Sequence, residues 1–216
     1  MKDLYIIGAG GLGRETSWIA ETMNQEKETW NIKGFIDDNV SVHGKVIDDY
    51  PVLGGLGYLS SQKEAWVICA IGSSAVKKKV IDKIGGMKQI HYASIISPQA
   101  VISRHVKVGE GCIIFPGNVI TVDVTVGKHV LINPGCTIGH DVVIRDYATI
   151  YSAVSVSGNV TVGSATELGV GSRIIQGKKI GDRTIIGAGA IVIRDIESDC
   201  TAVGCPAKVI KRRLVE

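Results

Sequence analysis

Five histidines occur among the 216 residues, and one of them sits where it can do chemistry. His140 closes the run Asn133-Pro134-Gly135-Cys136-Thr137-Ile138-Gly139 and is followed at once by Asp141. An imidazole with an ordinary pKa of about 6.5 is mostly neutral at neutral pH and can take a proton from a nucleophile. The other histidines have plainer readings. His105 and His129 fall at an outward position of the repeat described below and read as surface residues, while His43 and His91 have no partner motif nearby. The five cysteines lack C-x-x-C spacing, so a disulfide framework and a zinc knuckle are both disfavoured, and a reducing cytoplasm fits. Cys112 and Cys136 take a position reserved for small residues, Cys69 lies in a buried strand, and a cysteine nucleophile is disfavoured. No metal-ligand cluster is visible.

A second group of residues points to a phosphate. Gly8-Ala9-Gly10-Gly11-Leu12-Gly13 reads G-x-G-x-x-G and lies between an apolar strand, Leu4 to Ile7, and a helical stretch, Arg14 to Met23. Glycines there let backbone N–H groups approach a phosphate at a helix N-terminus. A second strand, Ile32 to Ile36, ends in Asp37-Asp38, placed to bond ribose hydroxyls or a base edge. A third strand, Trp66 to Ile71, ends at Gly72-Ser73-Ser74 and leads into a helix from Ala75 to Ile84. The basic run Lys77-Lys78-Lys79 on that helix reads as a solvated face. Gln89-Ile90-His91 forms a last short strand. Only one mononucleotide half is present, so the glycine loop suits a nucleotide sugar or sugar phosphate rather than a dinucleotide.

The element that must position His140 is a repeat. From Ile95 to Ile196 the chain divides into seventeen hexads without an insertion, and the second position is Ile, Val or Leu in every one. The third position is repeatedly Gly, and the sixth is small or β-branched. A period of six is neither helix nor alternating strand. It describes a parallel β-helix of triangular section, with one short strand and one corner per hexad and three hexads per coil. Inward aliphatics stack coil on coil, and glycine relieves corners that need positive φ. The division expected is therefore residues 1–93, a Rossmann-like α/β domain of βαβ type, and residues 94–216, an all-β solenoid with a short C-terminal tail.

Composition narrows the function further. Lys plus Arg is 24 against 21 acids, a formal charge of +3, too small for a dedicated nucleic-acid binder. No apolar run is long enough to span a membrane, and the N-terminal run is too short for a signal peptide.

Over nearly its whole length the chain resembles the PglD/NeuD group of sugar acetyltransferases, in the superfamily of left-handed β-helix hexapeptide acyltransferases. The matching segments are Gly8 to Gly11, Phe35 to Asp38, Ala70 to Gly72, His140-Asp141, Ser157 to Val160, Ile186 to Ala190 and Gly204 to Lys208. The resemblance implies a homotrimer that transfers acetyl from acetyl-CoA, without a metal, to the amine of a nucleotide-linked amino-deoxy sugar for surface-glycan or glycoprotein assembly. It implies His140 as general base, Asp141 as its orienting acid and Gly158 as an oxyanion donor. It places the nucleotide sugar at Gly8, Gly10, Gly11, Asp37, Asp38 and Gly72. It places the coenzyme at Val170, Gly187, Ala188, Pro206 and Lys208, with Lys211, Arg212 and Arg213 either pairing with its phosphates or forming a solvated helix face. Many relatives carry a second histidine nine residues after the first, where it contacts substrate or donor. Here that place is Thr149, which can hydrogen-bond but cannot titrate near neutral pH. Two rival functions are O-acetylation of a sugar such as sialic acid and non-catalytic nucleotide-sugar binding.

Overall fold

The computed structural model describes residues 1–213; residues 214–216, the end of the expected second domain, lie outside the described residues. The N-terminal part is a six-stranded sheet of β1 (Lys2–Ile7), β2 (Trp30–Ile36), β3 (Val46–Ile47), β4 (Tyr50–Gly54), β5 (Ala65–Cys69) and β6 (Ile90–Tyr92). Its order is β3-β4-β2-β1-β5-β6, and all pairs are parallel except the β3–β4 hairpin. Helix α1 (Gly11–Glu26) joins β1 to β2, and α2 (Ser74–Ile84) joins β5 to β6. The hairpin is an element that the motif reading missed. Its strands are short, and Pro51 interrupts the alternation that would mark them.

The solenoid is the repeat made solid. Strands β7 (Ile95–Ile96) to β23 (Ile191–Val192) recur every six residues, and those that start from Ile95 to Arg173 each pair in parallel with the strand eighteen residues on. Three aliphatic columns result. Ile114, Ile132, Ile150, Leu168 and Ile186 form one, and all are buried. Burying each such side chain stabilises the fold by roughly 1.5–3 kcal/mol.

The glycines act differently from the sequence expectation. The third-position glycines do not adopt positive φ. A Cβ on Gly109 would lie 2.7 Å from the Gly127 backbone, and one on Gly139 would lie 2.7 Å from Gly158 N. They are glycines because successive coils approach too closely for a side chain. Positive φ falls instead at the fifth position, where Gly111 and Gly135 are joined by Asp123, His129, Asp141 and Asn159.

The C-terminal tail also differs. β24 (Cys200–Val203) and β25 (Lys208–Arg212) form an antiparallel hairpin that extends one solenoid sheet, so Lys208, Lys211 and Arg212 lie on a strand and the helix-face alternative is wrong. Arg212 pairs there with Glu197.

The two parts pack against each other along one column of outward side chains. First-position residues Ile95, Ile113 and Leu131 are buried with Leu4, Ile6, Ile19 and Phe35 of the nucleotide-type domain. His129, expected at the surface, is buried there instead, at 4% exposure. Its ring stacks on Tyr147 at 5.2 Å and meets the edge of Tyr92 at 4.6 Å. Hexad position fixes which way a side chain leaves the coil, and here a neighbouring domain covers that outward face. Burial pushes the His129 pKa down to about 4.

Below its ordinary pKa of 6.5, His129 therefore takes up a proton more readily in the unfolded chain than in the folded one. Its stabilising share is fully present above pH 6.5 and is lost as pH falls towards 4. The stability difference between the wild type and His129→Gln should shrink across that window. Thermal unfolding at several pH values checks this, and a constant difference would sink it.

Candidate active site

His140 stands at a solenoid corner just after β14 (Thr137–Ile138). Its Nδ1 lies 2.7 Å from Asp141 Oδ2. The corner brings this about. Asp141 takes the left-handed conformation at φ 58°, which aspartate tolerates better than most residues. An ionised carboxylate only accepts, so Nδ1 carries the proton and Nε2 keeps its lone pair. Gly158, one coil on, closes the other side of the ring. A Cβ there would lie 2.5 Å from Nε2. Asn159 N donates to the His140 carbonyl at 2.8 Å and fixes the two coils together. The imidazole and the carboxylate are each about half exposed, at 49% and 53%.

Val170, Gly187 and Ala188 lie at another corner, after β19 (Glu167–Leu168) and β22 (Ile185–Ile186). Gly189 N donates to the Val170 carbonyl at 2.8 Å, so these residues stack on one another. Pro206 and Lys208 belong to the terminal hairpin. Within one chain the structure does not bring these residues to His140, because one sheet face separates the two edges.

The glycine loop opens on a cavity of about 380 Å³, lined by Gly8, Asp37, Asp38, Ile71, Lys79 and Lys83 among others. It lies beyond the carboxyl ends of β1, β2 and β5, the usual ligand crevice of such sheets. The two acids are not equivalent. Asp37 accepts from Ala9 N through Oδ2 and from Asn39 N through Oδ1, both at 2.9 Å, and so pins the loop. Asp38 accepts from Leu56 N through Oδ1 at 2.9 Å, and its Oδ2 has no hydrogen-bond partner among the described residues.

The loop's glycines also divide. Gly8 has φ 104°, and a Cβ on Gly13 would overlap the Gly8 carbonyl oxygen. A Cβ on Gly10 or Gly11 would meet nothing within 4 Å. The chain itself does not require glycine at those two places, whereas a ligand resting on the backbone would.

The lysine run is not one solvated face. Lys78, paired with Asp82 at 2.7 Å, and Lys79 are exposed as that reading expects. Lys79 lines the cavity with Lys83, one helical turn apart on α2, and neither is in an ion pair among the described residues. Their spacing with Val76 and Val80 was the available signal. Lys77 is buried, with 2% of its surface exposed. Thr149 is buried too, and its hydroxyl bonds to Gly72, Ser74 and Lys77 of its own chain. It therefore does not face a substrate.

Other chemistry finds less support. Burial pushes the Cys69 thiol up to about 12 and the Cys112 and Cys136 thiols up to about 11, so none is a thiolate at neutral pH. Among the described residues no group of His, Cys, Asp and Glu could hold a metal ion, and no helix is long and apolar enough to cross a membrane. A larger cavity of about 560 Å³ lies between α2 and the solenoid. Its polar groups are mostly engaged: Arg183 holds Asp199 in a bidentate pair, and Glu167 accepts from Ser74 N and Tyr151.

The chain thus places a Rossmann-like domain in front of a hexapeptide β-helix that carries a His–Asp pair at a coil corner. Residues 3–84 match the family model described as the PglD N-terminal domain, which bears out the resemblance read from the sequence. Among solved structures, the chain is 29% identical to a histidine mutant of perosamine N-acetyltransferase from Caulobacter crescentus in complex with CoA and GDP-perosamine. That match covers 98% of each chain with a TM-score of 0.87. WeeI from Acinetobacter baumannii AYE is 27% identical over 97% of this chain and 100% of its own, with a TM-score of 0.85. The acetyltransferase domain of PglB from Neisseria gonorrhoeae FA1090 shares the fold at 22% identity, over 97% and 100% of the chains, with a TM-score of 0.88. No curated protein matches the chain.

The glycine division is testable. Gly13→Ala should destabilise the protein by several kcal/mol, because the added methyl overlaps backbone. Gly10→Ala should leave the melting temperature unchanged and weaken the binding of GDP, UDP or dTDP. Calorimetric titration and thermal melts of both variants check this; equal destabilisation would refute the division.

Proposed function

We propose that this chain is an acetyl-CoA-dependent N-acetyltransferase acting on the amine of a nucleotide-linked amino-deoxy sugar, for surface-glycan or glycoprotein biosynthesis. The observation that carries the reading is the half-exposed His140–Asp141 pair, bonded through Nδ1, on a solenoid fused to a nucleotide-sized cavity. The likeness to a perosamine N-acetyltransferase that binds CoA and GDP-perosamine supports both the donor and the acceptor class.

The neutral sugar amine attacks the thioester carbonyl of acetyl-CoA. His140 Nε2 takes a proton from the nitrogen as the C–N bond forms, and Asp141 holds the ring and steadies the imidazolium. The backbone N–H of Gly158 is assigned to the developing oxyanion. The tetrahedral intermediate then collapses, the C–S bond breaks, and the departing thiolate takes the proton from His140. Products are the acetamido sugar and CoA. No step needs a metal.

In this reading residues 1–93 hold the nucleotide sugar through Gly8, Gly10, Gly11, Asp38 and Gly72, while Asp37 keeps the loop in place. Residues 94–216 hold the donor through Val170, Gly187, Ala188, Pro206 and Lys208. The donor residues and His140 lie on different edges of one solenoid. The site is therefore assigned to the groove between neighbouring chains of a cytoplasmic homotrimer, where one edge of one chain faces another edge of the next.

Thiol release from acetyl-CoA against GDP-, UDP- and dTDP-linked amino sugars and free sialic acid, with mass spectrometry of products, tests the reading. Release with an amino-sugar nucleotide and a single added acetyl is expected. Release with sialic acid alone would move the assignment to O-acetylation, and binding without release would leave a scaffold. His140→Ala should cost about 10²–10⁴-fold in kcat and leave the assembly's mass unchanged in sedimentation.

A further inference from the structure

A charged group is sealed at the joint between the two parts, and the reaction above does not use it. Lys77 Nζ donates to the Ala148 carbonyl at 3.3 Å and to Thr149 Oγ1 at 3.1 Å. Ser74 Oγ donates to the same hydroxyl at 3.1 Å, and the hydroxyl donates to the Gly72 carbonyl at 2.8 Å. A threonine hydroxyl has one proton and two lone pairs, so this one is fully satisfied. Next to it, Ser74 N donates to Glu167 Oε1 at 2.8 Å, and the Tyr151 hydroxyl donates to Glu167 Oε2 at 3.2 Å. All these bonds but the last tie residues 72–77 to the solenoid.

Stability alone gives no reason for this network. Apolar side chains of similar volume stabilise a joint at least as well as a buried charge, and the same solenoid face already uses Ile113 and Leu131 for that purpose. Directional bonds instead fix one relative placement. The segment they fix matters, because Ile71 and the α2 residues Val76, Lys79, Val80 and Lys83 are walls of the nucleotide cavity.

We infer that Lys77 and Thr149 are positioning residues: together they hold the Gly72–Ser74 turn and α2 in register with the solenoid, and so set where the amine of a bound nucleotide sugar arrives. The inference rests on the acetyltransferase reading. It concerns delivery of the acceptor, not nucleotide affinity, which belongs to the cavity itself. Misplacing a reacting atom by an ångström costs on the order of 10²-fold in rate.

The test compares Thr149→Val, which keeps shape and removes the hydroxyl, with Thr149→Ser, which restores the hydroxyl, and with Lys77→Met. The full-length protein is assayed with acetyl-CoA and the same panel of GDP-, UDP- and dTDP-linked amino sugars, alongside binding of GDP, UDP and dTDP and thermal melts. The expected result is a 10- to 100-fold fall in kcat for Thr149→Val and Lys77→Met, with the Kd of the nucleoside diphosphate and the KM for acetyl-CoA within twofold of wild type. Thr149→Ser should recover most of the rate. A lower melting temperature with wild-type kcat would show a merely structural joint and overturn the inference. Loss of kcat and nucleotide affinity together would also overturn it. If Lys77→Met does not fold, the threonine pair decides. A wild-type protein inactive on the whole panel would overturn the functional reading, and the role of the lock with it.

Discussion

From Ile95 to Ile174 each solenoid strand residue pairs with the residue eighteen positions further on, Ile114 with Ile132 and Thr125 with Val143, and the rest of the molecule is placed by that register. Because every coil holds the same number of residues, a given hexad position always returns to the same face of the prism. The first positions of one sheet therefore make a straight outward column: Ile95, Ile113, Leu131, Thr149, Glu167, Ile185. Its first three members are apolar and bury the foot of the nucleotide-type domain. The next two are polar and receive α2. One column thus carries both the adhesive and the aligning parts of the joint. Inserting a single residue would turn every later side chain away from its place.

The cost of that alignment is a buried ammonium. Desolvation lowers the Lys77 pKa to about 8, so the group stays mostly charged at neutral pH. Glu167 favours the charged form from the side, and the Ala148 carbonyl and Thr149 hydroxyl supply direct acceptors. The sign is clear. The unfolded chain keeps the lysine proton up to about pH 10.5, the folded one only to about 8. Lys77 therefore weakens the fold least above pH 10.5, and its full penalty is present below pH 8. The charge is tolerated at working pH because these groups surround it, and removing the Thr149 hydroxyl would cost the ammonium one of its two hydrogen bonds.

What the sequence made legible follows from which constraints repeat. The hexad period is enforced at every coil by the same packing, so it was readable without knowing any neighbour. The strand–glycine–helix order and Asp37-Asp38 were readable because backbone geometry demands them locally. His140-Asp141 was visible because the two residues are adjacent. Residues whose environment comes from another element were not legible. His129 reads as exposed from its hexad and is buried by Tyr92. Lys77 reads as one of three surface lysines and is buried by the solenoid. The β3–β4 hairpin has too little alternation to stand out, and the C-terminal strand β25 forms against β24, which itself pairs with the last coil. The roles of the glycines were misassigned for the same reason: a close approach between coils leaves no mark that separates it from a positive φ.

The placement of His140 on an exposed corner is itself an argument about assembly. Acyl transfer gains most when donor and acceptor are held together away from water, where fixed dipoles act strongly and the thioester is safe from hydrolysis. A histidine with half its surface in solvent lacks that setting, and the hydrogen bond to Asp141 orients the ring without covering it. Gly158 closes on the ring within the chain, and its missing side chain leaves space rather than filling it. A second solenoid edge laid against this one would supply the cover. The edge carrying Val170, Gly187 and Ala188 suits the task, since Val170 is exposed and its companions have little or no side chain to obstruct an extended donor. In the homotrimer proposed above, the small residues at one edge and the His–Asp pair at the other would be two halves of a single groove, each completed by a neighbouring chain.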